Sequence, residues 1–566
     1  MTVNIADFFA QHLAQRDTVL YRHHAEGAWR DVTAGALAID IARWQRAFQS
    51  EGLAPRERIA ICARNGVDWV ASDLAALGLG LVVVPLYVED NAENVAWCVA
   101  DADARLVIVE NIRLSHGIRS AATAAGRTPP RIVVLRAEAA LAEADGATTA
   151  ARLLPAEGGE PEIRPLPAET LATICYTSGT AGRPKGVMLS HGNIIANVTS
   201  CRATQMARRT DRFLSVLPLS HMFERTGGYY LPLSLGAQVV FGRGVARLAD
   251  DLVAERPTAM FAVPRIFERF ATRIDQRLAA SLLERALFDR CVALGLRVAQ
   301  GSASPITQLV WQTLRALVAR PILAKLGGRL RLVVVGGAPL DPALARRFIG
   351  LGLPLLQGYG MTEASPVISV NLERDNEPES VGPPLPGVEA SLLESGELVV
   401  RGGNVMLGYW RNRETTRAVL DAQGWLHTGD LAEIRSGKLY IRGRAKDILV
   451  MSNGEKLSPQ DVELALLRDP VFEQVMLIGE GRPFPVLLAV TRESDEKALL
   501  RRANDQLKAF PRWVRVRRVI ATQEPWDVES GLLTPTLKLK RLLLAARFKD
   551  RIDAAYAEGA EPRATD

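Results

Sequence analysis

Cysteine is scarce. The 566-residue chain has five, Cys62, Cys98, Cys175, Cys201 and Cys291, with no short paired spacing and no histidine cluster beside them. That excludes a disulfide framework or a zinc-finger-type site and suits a reducing cytosol. Long apolar runs are missing as well. The longest uncharged apolar stretch, Leu74 to Val88, is 15 residues and contains Pro85, short of the roughly 18 that suggest a spanning helix; it is expected as a buried helix and strand. The start, MTVNIADFFAQ, has no basic residues leading into an apolar run, so no secretory signal is expected. Neither charge sign dominates: 69 Lys plus Arg against 63 Asp plus Glu leave a net +6. This mild excess suits anionic small molecules or a membrane surface and is too small to argue for nucleic acid. Low-complexity tracts and internal repeats are absent too.

What is present is apolar residues, 48% of the chain, enough for a large core and more than one domain. Residues 34–50 carry helical apolar spacing. RIAICA and LVVVPLY read as buried strands, with VDWVASDLAALGLG a helix between them, and the same grammar returns in RIVVLR, AQVVFG and RLVVVGGAPL. From about Val381 the texture changes to short strands and turns, which suggest a small barrel or distorted sheet. After GRAKD, strand and helix alternation resumes. The expected fold class is α/β: residues 1–445 form a large N-terminal domain of layered α/β subdomains plus a small distorted β-barrel, and residues 446–566 a smaller α/β domain.

The densest chemical signal is Tyr176-Thr177-Ser178-Gly179-Thr180-Ala181-Gly182-Arg183-Pro184-Lys185-Gly186, directly after the apolar LATIC. Its glycines let backbone N–H groups approach an anion, Thr177, Ser178 and Thr180 add donors, and Lys185 supplies positive charge to a polyphosphate. It does not satisfy the GxxxxGK[ST] pattern of the common nucleoside-triphosphatase loop.

With this loop the sequence resembles the acyl-adenylate-forming superfamily, which includes acyl-CoA synthetases, adenylation domains of peptide synthetases and firefly-type luciferases. Further stretches match in that family's order: Leu217-Pro218-Leu219-Ser220-His221, Gly336-Gly337-Ala338-Pro339, Gln357-Gly358-Tyr359-Gly360-Met361-Thr362-Glu363, His427-Thr428-Gly429-Asp430, Gly443-Arg444-Ala445-Lys446-Asp447 and, near the C-terminus, Lys538. The resemblance implies ATP, Mg2+ and coenzyme A as cofactors and co-substrates. It gives Glu363, beside Thr362, the metal-binding role with Thr180 as a second ligand. It places adenine between Tyr359 and the turn Gly336 to Pro339, the ribose hydroxyls on Asp430, and a second ribose or phosphate contact on Arg444. His221 would face the acyl substrate.

In Gly531-Leu532-Leu533-Thr534-Pro535-Thr536-Leu537-Lys538-Leu539-Lys540-Arg541, Lys538 aligns with the family's catalytic lysine, with Lys540 as the alternative. Leu537 stands where the commoner form has glycine. The resemblance further implies that the small domain is mobile, turning about a hinge at Lys446. Ser452-Asn453-Gly454-Glu455-Lys456 would then complete a thiol-acceptor tunnel, with Gly454 beside the pantetheine arm.

His221-Met222-Phe223-Glu224-Arg225, Val263-Pro264-Arg265-Ile266-Phe267-Glu268-Arg269, Asn453-Gly454-Glu455-Lys456 and Thr534-Pro535-Thr536 together resemble bacterial long-chain fatty acid-CoA ligases. A medium- to long-chain fatty acid is therefore the expected substrate. The alternatives are a fatty acyl-adenylate donor to a carrier protein and a non-catalytic nucleotide- or lipid-binding relative. Residues 281–330 carry seven basic residues and two acids. Two readings stand for them, attachment to an anionic bilayer and a solvated helical face packed on the main domain. A cytoplasmic location, with peripheral attachment at the inner face of the membrane, is the expectation.

Overall fold

Buried β-branched runs alternating with helices build two eight-stranded sheets. The computed structural model describes residues 2–177, 183–452, 454–528, 530–534 and 538–557. The first sheet is ordered Gly408–Tyr409, Lys185–Ser190, Leu171–Thr177, Val82–Pro85, Arg58–Cys62, Ala104–Asn111, Arg131–Arg136 and Thr148–Thr149. The second runs Val367–Val370, Leu355–Gly360, Leu332–Val335, Ala259–Ala262, Arg212–Ser215, Gln238–Phe241, Val19–Ala25 and Ala28–Thr33. Their central strands are parallel, as crossover helices require.

Helices Ala34–Ser50 and Val67–Gly78 share one core with both sheets, through Trp44, Phe48, Trp69 and Leu74. The first begins where the Thr33 side chain accepts from Ala36 N–H and buries Leu37, Ile41, Trp44 and Phe48 at helical spacing. The second is buried on nearly all sides, as a helix enclosed between layers must be. Outer helices cover the remaining faces, Ala92–Asp101 and Ile112–Ala124 on the first sheet, Pro264–Leu278 and Leu282–Ala299 on the second.

The turn-rich stretch forms four antiparallel strands in the order Val388–Leu392, Glu397–Gly402, Leu426–Arg435, Lys438–Arg444, whose outer strands are not paired with each other. The smaller C-terminal domain is a three-stranded sheet, Gln474–Ile478, Val486–Val490, Arg518–Thr522. Pro459–Leu466 and Glu496–Gln506 cover one of its faces, Arg541–Arg547 and Lys549–Ala557 the other.

One charged pair lies inside the large domain. Arg225 opens a π-helical segment, Arg225–Tyr230, and is fully buried against equally buried Asp73. Its Nη1 donates to Thr173 Oγ1 at 2.9 Å, and the hydroxyls of Tyr229 and Tyr230 donate to Asp73 at 3.1 and 2.9 Å. The pair ties helix Val67–Gly78 to strand Leu171–Thr177.

Candidate active site

Strands Leu171–Thr177 and Lys185–Ser190 pair antiparallel with Thr177 opposite Lys185, so both residues reach one end of the first sheet. Gly186 packs where a Cβ would sit 2.7 Å from Ile174, which holds the two strands close. Ser178, Gly179, Thr180 and Gly182, including the magnesium-side expectation for Thr180, lie outside the described residues. The Lys185 ammonium stands 5.5 Å over the Tyr409 ring, and Tyr409 OH donates to Glu363 Oε1 at 2.8 Å. Tyr409 was not foreseen; it sits in the two-residue strand Gly408–Tyr409, joined to the first sheet only by tertiary pairing with Val187 and Met188.

Parallel strands Leu332–Val335 and Leu355–Gly360 deliver Gly336, Gly337, Gly358 and Gly360 at their carboxyl ends, where open α/β sheets present ligand crevices. Gly337 has φ +78, and a Cβ on Gly360 would lie 2.0 Å from the Pro366 carbonyl oxygen, so neither position tolerates a side chain without rearrangement. Tyr359 OH donates to Asp430 Oδ2 at 2.5 Å, and Arg444 Nε lies 3.2 Å from Asp430 Oδ1, its partner across the strand pair. Burial, then the Asp430 charge, pushes the Tyr359 phenol well above its usual range. Burial raises the Asp430 carboxyl while Arg444 pulls it down. Tyr359 and Arg444 line the cavity; Asp430 is not among the lining residues, nor are Ala338 and Pro339. The carboxylate therefore fixes the tyrosine ring and the guanidinium.

Glu363 lies in the short 3-10 turn Thr362–Ala364 and is 9% exposed. No cation is recorded within 4 Å of its carboxylate among the described residues, and no cluster of three acidic, histidine or cysteine side chains there could hold a metal alone. A single hard oxygen donor of this kind fits a magnesium ion whose other ligands are phosphate oxygens and water.

The smaller domain closes the site. Thr534 N–H donates to the Lys538 carbonyl at 2.9 Å, and Lys538 N–H to Thr534 Oγ1 at 3.0 Å. Arg541, three residues on, is paired to buried Glu463 at 2.5 Å, anchoring the lysine loop to helix Pro459–Leu466. The Lys538 side chain is exposed and borders the cavity. Burial and the Arg444 guanidinium hold its ammonium below the usual lysine range, against the opposing pull of Asp430 and Glu363. His221 Nδ1 accepts from Phe223 N–H at 3.1 Å. Burial, then Lys538, brings its pKa down to about 4, so the ring is neutral near pH 7.

Lys185, His221, Gly336, Tyr359, Thr362, Glu363, Arg444, Lys446 and Lys538 thus border one cavity of about 690 Å³, and Lys540 borders it as well. Its lining includes the apolar residues Met206, Ala207, Leu231, Phe261, Leu332 and Val334. Gly454, with φ +83, sits in the turn between strands Leu449–Val450 and Lys456–Leu457 and does not line the cavity; Asn453 and the Lys456 side chain are outside the described residues.

The profile of the AMP-binding enzyme family matches residues 8–410, and that of the AMP-binding enzyme C-terminal domain matches residues 446–560. A Mycobacterium bovis protein named long-chain-fatty-acid-CoA ligase is 30% identical, over 95% of this chain and 94% of its own length. A chloroplastic Arabidopsis thaliana protein named long-chain-fatty-acid acyl-carrier-protein ligase is 26% identical, over 93% of this chain and 83% of its own. The solved structure of an anthranilate CoA ligase in complex with anthranoyl-AMP superposes with a TM-score of 0.74 at 20% identity, covering 99% of this chain and 98% of that one. At that identity the likeness speaks for the fold alone.

Proposed function

This chain belongs to the AMP-binding enzyme family, and from that premise we propose that it joins a medium- to long-chain fatty acid to coenzyme A at the expense of ATP. The observation that carries the reading is the meeting, in one cavity, of Lys538 from the smaller domain with Lys185, Glu363 and the glycine turns of the larger one. In the first half-reaction a fatty acid carboxylate oxygen attacks the α-phosphorus of ATP; the new P–O bond forms as the bond to pyrophosphate breaks. Two anions must approach, so positioned cations in a cleft shielded from water lower the barrier. Lys538 would hold the carboxylate and α-phosphate together, and Lys185 with the preceding loop would hold the outgoing phosphates. Tyr359, fixed by Asp430, would stack on adenine, with the Gly336–Gly337 backbone at the ring edge. Arg444 would reach ribose or phosphate, and neutral His221 would border the acyl carboxyl.

Glu363, with Thr362 beside it, would hold Mg2+, which when bound neutralises polyphosphate charge. In the second half-reaction the coenzyme A thiol attacks the acyl carbonyl and AMP leaves. The smaller domain, residues 446–566, would turn about Lys446 to present the Gly454 turn to the pantetheine arm. The apolar residues Met206, Ala207, Leu231, Phe261, Leu332 and Val334 in the cavity lining suit an alkyl chain. Because such an acid partitions into bilayers, the reading includes peripheral membrane association; no described helix is long and apolar enough to cross a membrane.

The test is pyrophosphate release with a panel of acids, with and without coenzyme A. Coenzyme A-dependent thioester formation is the expected outcome, whereas adenylate accumulation regardless of coenzyme A would favour a carrier-protein acceptor. Glu363→Ala should lower acid-dependent pyrophosphate exchange by about 10²-fold or more, the scale of losing one strong electrostatic stabiliser. Lys538→Ala should lose adenylate formation and still convert supplied acyl-adenylate and coenzyme A to thioester. If only Lys540→Ala blocked adenylation, the lysine would be two positions further on.

A further inference from the structure

Helices Leu282–Ala299 and Pro305–Leu314 form a hairpin that continues through Arg315–Ala319 to Arg320–Ala324. It packs on the outer face of the second sheet through Phe288, Cys291 and Ala319. Its other side leaves large apolar side chains open to solvent, beside the exposed Glu284, Asp289 and arginines of the first helix. Leu282 at 90%, Ile306 at 76% and Leu283 and Leu317 at 71% are the most exposed large apolar side chains among the described residues, and Leu309 at 65% follows. A solvated helical face would carry charges. Helix Pro305–Leu314 has none, and neither does any residue between Arg297 and Arg315.

Cations flank this uncharged stretch along the chain. Arg290, Arg297, Arg320, Lys325 and Arg329 are exposed and, among the described residues, in no ion pair. Arg285, by contrast, is paired with Asp275 and Asp289, and Arg315 lies over the Trp311 ring at 5.3 Å.

We propose that this hairpin docks the protein on an anionic lipid bilayer, its leucines and isoleucine entering the boundary between headgroups and acyl chains and its unpaired cations meeting lipid phosphates. Exposed apolar side chains on a segment that also carries five unpaired cations suit a fluid anionic surface. A second copy is a poor occupant, because a two-fold contact sets the same patch against itself and opposes its five cations. The inference rests on the fatty acid reading for its purpose, since the substrate partitions into such bilayers.

The experiment is cosedimentation of the full chain with vesicles of phosphatidylcholine alone or mixed with phosphatidylglycerol, at low and high salt. Binding should need the anionic lipid and fall with salt. It should drop more than about tenfold both in Leu282→Ser/Leu283→Ser/Ile306→Ser/Leu317→Ser and in Arg290→Glu/Arg297→Glu/Arg320→Glu. Neither variant touches the cavity, so thioester formation from a soluble medium-chain acid without vesicles should be unchanged; loss of that activity in the unaltered protein would count against the enzymatic reading alone. Equal binding to both vesicle types, or binding that neither variant alters, would overturn the docking proposal. So would a serine variant that converts an oligomer to a monomer in size-exclusion chromatography while binding vesicles normally.

Discussion

Arg225 closes the stretch His221-Met222-Phe223-Glu224-Arg225, which resembles fatty acid ligases and whose His221 is expected to face the acyl substrate. Its guanidinium instead turns away from the cavity and is buried with Asp73. Removing one partner of such a pair strands the other charge, so loss of activity in an Arg225 variant would report folding rather than substrate contact. A second buried group has a defined pH signature. His191 is fully buried, its Nδ1 accepts from Ile5 N–H at 3.1 Å, and burial lowers its pKa from 6.5 to about 4. Between those values the unfolded chain binds a proton that the folded chain does not, so this share of stability is complete above about pH 6.5 and is lost as pH falls toward about 4. One pKa unit corresponds to about 1.4 kcal/mol. His191→Asn can keep an acceptor for Ile5 and cannot titrate. Between about pH 6.5 and 5, urea unfolding should show the unaltered chain losing roughly 2 kcal/mol more than this variant; equal losses would exclude His191 as the proton acceptor.

At the scale of elements, the lysine loop depends on how the smaller domain sits. Arg468, just past helix Pro459–Leu466, donates from Nε and Nη2 to the two carboxylate oxygens of Asp341, each at 3.0 Å. Asp341 also caps helix Pro342–Gly350 by accepting from Ala343 N–H at 2.9 Å, which makes it a fixed post next to the Gly336–Gly337 turn. The bridge is half exposed on the arginine side, so it contributes at most about 1 kcal/mol, about a fivefold bias toward the orientation that places Lys538 in the cavity. Arg468→Ala should therefore slow adenylation by no more than about fivefold and leave thioester formation from supplied adenylate intact. Lys446→Pro, which fixes φ at the proposed hinge, should do the reverse, keeping adenylation and losing the thioester step. Half-reaction assays on variants with normal thermal melts decide between them; equal loss of both steps in both variants would remove the division of labour. A change of sequence texture marks the domain boundary near Lys446, and the hinge there is what the family resemblance implies. The Arg468–Asp341 bridge left no such mark, because an arginine at a helix end reads as solvated until its partner 127 residues away is known.

For the whole molecule, a site built from two domains couples ligand binding to their joint stability. A non-reactive acyl-adenylate analogue should stabilise the protein by about 2.7 kcal/mol at a hundredfold excess over its Kd. In Lys538→Ala the same concentration should give a smaller rise in Tm, readable by calorimetry, because the smaller domain loses its charged contact with the ligand. An unchanged rise would mean that the lysine does not face the bound adenylate. The five-layered larger domain was legible as strand and helix alternation, since buried parallel strands require near-continuous apolar runs.

The sequence by itself determined the elements, their order and the chemistry of the individual motifs, because helical periodicity, turn residues and a glycine-rich loop ending in Lys185 are relations between neighbours in the chain. Tertiary structure decided which groups work together. Tyr409 meets Glu363 across 46 positions, Tyr359 meets Asp430 across 71 and Arg225 meets Asp73 across 152. No local pattern encodes such pairings; they follow from strand order and domain placement. The same holds for the hairpin at Leu282–Ala299 and Pro305–Leu314, where the sequence left a bilayer-facing and a solvated, packed face both open and where the second sheet decides which side is covered.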